Sequence, residues 1–135
     1  MSDRSTPFLR TGTYLRTYCP ACDAELTHGD WVHLTAVAAD GSLAVLQLSP
    51  RFNVFDKRTA LRLQTGTLVE DLRCPHCERS LMSKQESCAA CSAPAAGLRI
   101  IAYDVAVDLL VCSRVGCTWH GLTGKDRERL DLEEA

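Results

Sequence analysis

Aromatic side chains are scarce in this chain, at 6% of 135 residues. An interior built on stacked rings is therefore excluded, and the core must be aliphatic, drawn from runs such as Val32–Val37, Leu43–Leu48 and Leu98–Val107. Charge of one sign is also lacking. Fifteen basic residues stand against 17 acidic ones, giving −2, which leaves no nucleic-acid footprint over the whole chain, although a local patch stays open. No stretch approaches the roughly 18 apolar residues of a membrane helix, and the first residues, Met1-Ser-Asp-Arg-Ser-Thr-Pro7, are polar rather than a signal segment. The reading is a cytoplasmic protein with no membrane contact. A glycine-rich phosphate loop, a G-x-S-x-G elbow and a paired-carboxylate signature are all missing, so no catalytic constellation is expected.

Cysteine is abundant. Eight cysteines fall into four local pairs: Cys19-Pro-Ala-Cys22, Cys74-Pro-His-Cys77, Cys88-Ala-Ala-Cys91 and Cys112-Ser-Arg-Val-Gly-Cys117. Each pair can aim two sulfurs at one ion from a single tight turn, and eight thiolates fill two tetrahedral sites. In a reducing compartment such pairs are more often metal ligands than disulfides. A redox dithiol would want a helix N-terminus in a βαβ setting, whereas strand-like segments (Thr13–Tyr18, Thr67–Leu72) feed these knuckles. The segments 18–26 and 73–81 both read C-P-x-C-x-x-x-L, a weak internal repeat like the knuckle of zinc-ribbon and rubredoxin-like folds.

Four pairs can be matched in three ways. The preferred match is sequential. Cys19 and Cys22 join Cys74 and Cys77 across 51 residues, while Cys88 and Cys91 join Cys112 and Cys117 as C-x2-C-x20-C-x4-C, close to zinc-ribbon spacing. A nested match, with Cys74/Cys77 on Cys88/Cys91, and an interleaved one stay open. Two Zn(II) ions per chain are the expected cofactor, and iron stays open for the first site, because four-cysteine spacing does not separate the two. A closed four-thiolate site has no open position, hence no metal-bound water and no hydrolytic chemistry.

The expected fold class is mainly β: a small two-site, zinc-ribbon-like arrangement with four cysteine knuckles and a β-hairpin insert. Its divisions are 1–82, a ribbon-like domain carrying the insert; 83–124, a second small ribbon; and 125–135, a charged tail. In the insert, Asp40-Gly41 is a hairpin turn signal between strands Trp31–Ala38 and Leu43–Leu48. Arg51–Phe55 reads as a further short strand, Lys57–Leu63 fits helix or strand, and Gln64–Gly66 reads as a turn. Met82–Ser87 reads as a polar linker, Ser92–Gly97 as a loop, Leu98–Val107 as a strand with a turn at Asp108, and the tail as a solvated helix or disordered.

His28, His33, His76 and His120 read as structural or surface residues, since eight cysteines already fill two sites. Trp31 and Trp119 are expected to cover metal loops; exposed together with Phe52 and Phe55, they would form an interface patch. Arg51, Lys57, Arg58 and Arg62 form a local basic cluster, read first as a solvated face, with an acidic partner or RNA as the other options.

At Cys19-Pro-Ala-Cys22, Asp30-Trp31, Leu48-Ser-Pro-Arg-Phe-Asn-Val-Phe55, Cys74-Pro-His-Cys77 and Cys112-Ser-Arg-Val-Gly-Cys-Thr-Trp-His-Gly121, the chain resembles the small zinc-containing subunit of ATP-dependent ketone carboxylases, the acetophenone and acetone carboxylase group. Eight cysteines suit the acetophenone type better. The resemblance implies a non-catalytic accessory subunit with structural zinc. It would brace the larger subunits of a cytoplasmic hetero-oligomer that activate ketone and bicarbonate with ATP. Two other readings are a nucleic-acid-binding zinc ribbon, which the charge balance disfavours, and a rubredoxin-like electron carrier.

Overall fold

The structure is a computed structural model, and it describes residues 6–54, 56–59, 66, 68–114 and 116–134, with the side chain of Lys57 not described. The described residues form twelve strands and one 3-10 turn, with no α-helix among them. In chain order the strands are β1 (Phe8–Leu9), β2 (Arg16–Tyr18), β3 (Thr27–His28), β4 (Trp31–Val37), β5 (Leu43–Leu48), β6 (Lys57–Thr59), β7 (Asp71–Arg73), β8 (Met82–Ser87), β9 (Pro94–Ala102), β10 (Val105–Cys112), β11 (His120–Leu122) and β12 (Asp131–Leu132).

Two five-stranded sheets share one plan. In the first, β4 pairs with β5 along one edge and with β3 and then β7 along the other, and β6 adds to β5. In the second, β9 pairs with β10 along one edge and with β8 and then β2 along the other, and β11 adds to β10. The β4–β5 hairpin follows from alternation. Val32, Leu34 and Ala36 are buried while Trp31, His33 and Thr35 face outward, as a period of two requires. Its turn is closed by the Ala38 N–H on the Ser42 carbonyl and by Asp40 Oδ1 accepting the Ser42 N–H. Gly41 takes a left-handed φ of 87° there, which glycine adopts without steric cost.

Strand partners cross residue 82. β2, from the segment expected to be a separate first ribbon, lies in the second sheet against Arg99–Ile101. A single buried cluster combines Leu34, Ala36 and Leu72 of the first sheet with Ala96 and Leu98 of the second.

Four local expectations are corrected. The polar stretch Met82–Ser87 is strand β8, half of it exposed, which explains its polarity. β9 begins at Pro94, inside the segment read as loop. Asp108 is no turn; it sits mid-strand opposite Arg99, and the chain reverses at Tyr103-Asp104, both at positive φ (51° and 64°), the two-residue turn that suits strand twist. Residues 125–134 are folded rather than a solvated or disordered tail. Leu130 and the Asp126 side chain are buried, and β12 pairs in parallel with β1. The apolar Leu130 and Leu132, packed against a core of Leu9, Phe52 and Ile100, hold this segment down.

Around the insert, Arg51 makes only an isolated bridge to Tyr14, and residues 52 and 53 form a turn rather than a strand. Phe55, residues 60–65 and Thr67 lie outside the described residues; of the Lys57–Leu63 stretch, Lys57–Thr59 is strand.

Candidate metal centres

Three of the four knuckles are built alike. The N–H four residues after the first cysteine donates back to that cysteine's carbonyl: Asp23 to Cys19 (2.8 Å), Glu78 to Cys74 (2.9 Å) and Ser92 to Cys88 (2.8 Å). Those three donors hold left-handed φ values of 62°, 62° and 66°. The first cysteine's own N–H then reaches the carbonyl five residues on, at Ala24, Arg79 and Ala93. The loop so formed points N–H groups at the first sulfur. Ala21 donates to Cys19 Sγ (3.3 Å), His76 and Cys77 to Cys74 Sγ (3.3 and 3.4 Å), and Ala90 and Cys91 to Cys88 Sγ (both 3.3 Å). Such donors stabilise thiolate and orient it toward a metal. The fourth knuckle is longer, with Arg114 N–H on Cys112 Sγ (3.4 Å) and Gly116 at φ 91° just before Cys117.

The knuckles converge as two four-sulfur groups, Cys19/Cys22/Cys74/Cys77 and Cys88/Cys91/Cys112/Cys117, each with its sulfurs within 4.8 Å of one another. This is the sequential match, and neither the nested nor the interleaved one is formed. Closest sulfur pairs are 3.8 Å (Cys19–Cys77 and Cys22–Cys74), 3.7 Å (Cys88–Cys117) and 3.5 Å (Cys91–Cys112). A tetrahedron with metal–sulfur bonds near 2.3 Å has edges of about 3.8 Å, so both groups fit a four-coordinate ion. Zinc and iron fit this frame alike.

The two centres tie different things together. Both knuckles of the first centre sit where the chain passes from one sheet to the other: β2 to β3 through Cys19–Cys22, and β7 to β8 through Cys74–Cys77. An ion there joins the sheets. Both knuckles of the second centre connect strands of the second sheet, β8 to β9 and β10 to β11.

Protonation follows burial and hydrogen bonding. Burial pushes the Cys19 and Cys112 thiols up to about 12, and it raises Cys88 as well. Cys91 is held down to about 6 by a backbone N–H at Ala93 and then by the Arg114 guanidinium. Cys77 is lowered, first by the Arg79 backbone N–H. A metal ion would displace the remaining protons.

Of the rings near the centres, Trp119 packs against Cys88, Ala93 and Cys112 and covers the second centre. Trp31 does not cover a metal loop; it lies on the outer side of β4 beneath the Arg58 guanidinium, 4.9 Å away. His28, His33 and His76 line up beside the first centre, with ring separations of 5.3 and 6.2 Å. His33 contacts Gln47 at 3.0 Å. His120 meets Phe52 edge-on at 5.0 Å, and none of the four histidines joins either sulfur group. Phe52 is buried, so it contributes to no surface patch, and Phe55 lies outside the described residues. The basic cluster is partly engaged: Arg51 donates to the Gly12 carbonyl and stacks on Tyr14, while Arg62 and the Lys57 side chain lie outside the described residues.

Two features were not anticipated from the sequence. Arg114 reaches from the second centre to the Gly66 carbonyl, and a cavity opens between the sheets. Neither has a local motif that would have revealed it. No helix among the described residues is long and apolar enough to cross a membrane. No protein-family model, no curated protein and no solved structure matches this chain.

Proposed function

We propose that this chain is a non-catalytic accessory subunit of a multi-subunit enzyme, held in shape by two structural zinc ions. The observation that carries this reading is the closure of all eight sulfurs into two complete four-ligand groups. Complete groups leave no open position for water or substrate. Exposed apolar side chains, including Leu43 and Val45 on β5 and Ile101 and Tyr103 around the β9–β10 turn, supply area for protein contact. The resemblance of the knuckles and the 48–55 stretch to small subunits of ATP-dependent ketone carboxylases supports that enzyme class, and with it a cytoplasmic location, as the reading to test.

The test is a pull-down of the tagged chain from its native host, at moderate salt with nuclease, followed by mass spectrometry and metal analysis. The reading expects large ATP-dependent carboxylase subunits at fixed stoichiometry and two zinc ions per chain. Ribosomal or polymerase components that leave on salt or nuclease treatment would replace it with a nucleic-acid ribbon. That second reading draws on the stacking of Arg58 over Trp31 and Arg51 over Tyr14, and it requires affinity that falls steeply with salt. A red, iron-loaded product would point to an electron carrier.

A further inference from the structure

Three of the chain's four histidines meet beside the first centre. They come from three elements. His28 ends β3 opposite Trp31, and His33 stands two residues beyond Trp31 on β4, so the two share the outer face of that sheet. His76 sits in the second knuckle between Cys74 and Cys77, its N–H committed to Cys74 Sγ (3.3 Å). His28 and His76 are exposed and His33 is half-buried, so none is sealed in the core.

Charge pairing does not account for the grouping. Among the described residues no ion pair includes a histidine. Glu25 lies near His28, but the Arg16 guanidinium engages both of its carboxylate oxygens (2.9 and 3.1 Å).

The ring spacing is that of metal ligands. Two imidazoles on one tetrahedral ion, with metal–nitrogen bonds near 2.0–2.1 Å, hold their ring centres about 5.2 Å apart. The centres of His28 and His33 are 5.3 Å apart. His76 stands 6.2 Å from His28, about 1 Å too far out on that scale, and its exposed side chain can swing in. Gln47 meets His33 Nε2 at 3.0 Å, which holds the ring and leaves Nδ1 to a metal, the usual state of a ligating histidine. The ring nitrogens are not gathered as tightly as the sulfurs of the two centres, so an ion held here is bound more weakly and exchanges.

We propose that His28 and His33, with His76 as a third ligand, bind a borderline divalent cation such as zinc or nickel, in addition to the ions of the two four-cysteine centres. Imidazole suits these ions, whereas magnesium and calcium take oxygen ligands. The site is complete within one chain, whatever assembly that chain serves.

The test titrates Ni(II) into the untagged full-length chain with both four-cysteine centres filled by zinc, and follows heat, bound metal and NMR spectra. Nickel is expected to saturate at one ion per chain with the zinc retained. Its paramagnetism should broaden the ring signals of His28, His33 and His76 and leave those of His120 sharp, and magnesium should move none of them. In H28Q, at an exposed position, nickel affinity should fall at least about tenfold, while H120Q should bind as the unaltered chain does. No saturable uptake, uptake only in exchange for zinc, equal affinity in H28Q, or broadening centred on His120 overturns the site. If H28Q does not fold, the spectra of the unaltered chain decide alone.

Discussion

Cys19 and Cys77, 58 positions apart in sequence, bring their sulfurs to 3.8 Å across the passage between the two sheets. A metal at this point does what a long-range staple does, while the second centre closes strands already paired within one sheet. The two centres should therefore contribute unequally. Each of C77S and C117S is expected to bind one metal ion fewer. C77S should lose several kcal/mol more stability, since structural zinc sites are worth on the order of ten kcal/mol and only the first joins the sheets. Chemical denaturation with parallel metal analysis checks this; a larger loss in C117S would contradict it.

Metal uptake should release protons. Cys19 and Cys112 hold thiols near 12 in the metal-free chain because they are buried, so both are protonated at pH 7, and zinc must displace those protons to bind. Affinity is thus expected to rise with pH and to fall on acidification. Calorimetry of zinc addition in buffers of different ionisation enthalpy reads the released protons directly. An enthalpy independent of the buffer would show that the ligands were already ionised.

Each of the three like knuckles places a non-glycine residue at left-handed φ, a conformation that costs an ordinary side chain roughly 1–2 kcal/mol. Glu78 lacks the local hydrogen bonding that lets aspartate tolerate this region, so Glu78→Gly should stabilise the chain by about 1 kcal/mol. Asp23→Gly should give less. Paired unfolding curves for the two variants test the ranking, and destabilisation by Glu78→Gly would mean that its side chain makes a contact worth more than the strain.

Much of the metal frame was legible in the sequence because ligand spacing is local chemistry. Each cysteine pair needs only one turn, and the C-x2-C-x20-C-x4-C spacing pointed to the second group. The Asp40-Gly41 turn was legible for a similar reason, as one glycine at positive φ marks it. The Tyr103-Asp104 turn was not, because its two residues adopt positive φ without glycine, so an aspartate five residues too late drew the assignment. β8 was obscured because a half-exposed strand carries polar residues that look like a linker. The pairing of β2 with β9 depends on contacts more than 80 residues apart, which no local pattern encodes. The tail's charge hid Leu130, a buried leucine that helps to anchor it together with Leu132 and the pairing of β12 with β1.

Asp126 ties that tail to β10. Its Oδ2 accepts the Asp108 N–H (2.9 Å) and the Thr123 hydroxyl (3.2 Å), and its Oδ1 accepts Arg129 Nη1 (3.2 Å). Burial alone would raise its pKa, but these hydrogen bonds outweigh burial and hold the carboxyl below its ordinary value. A depressed carboxyl contributes stability above its unfolded pKa, about 3.9, and loses it only as pH falls through the still lower folded value. Asp126→Asn is therefore expected to cost about 2 kcal/mol, by the same amount at pH 7.5 and pH 5.5. A cost that shrinks between those two values would show that the group titrates higher than its surroundings dictate.

The two centres should also differ toward electrophiles and oxidants. Cys22 in the first is exposed, whereas none of the four sulfur-bearing residues in the second is. The second centre is further covered by Trp119, and its Cys91 is held as thiolate by the Ala93 backbone N–H and the Arg114 guanidinium. In the metal-bound centres every sulfur is already thiolate, so a neighbouring cation and hydrogen bond no longer add thiolate and only lower its intrinsic nucleophilicity. Peroxide converts two thiolates to one disulfide and two hydroxide ions, and that loss of ligands frees the metal. Metal release from the zinc-loaded chain into a chromophoric chelator should then run in two phases, with the first centre faster by roughly tenfold, and peptide mapping should find Cys22 modified before Cys91. Arg114→Met, which keeps the length of the side chain and removes its charge, should bring the slow phase toward the fast one. Equal rates at the two centres in the unaltered chain would mean that sulfur exposure and the neighbouring guanidinium do not control their reactivity.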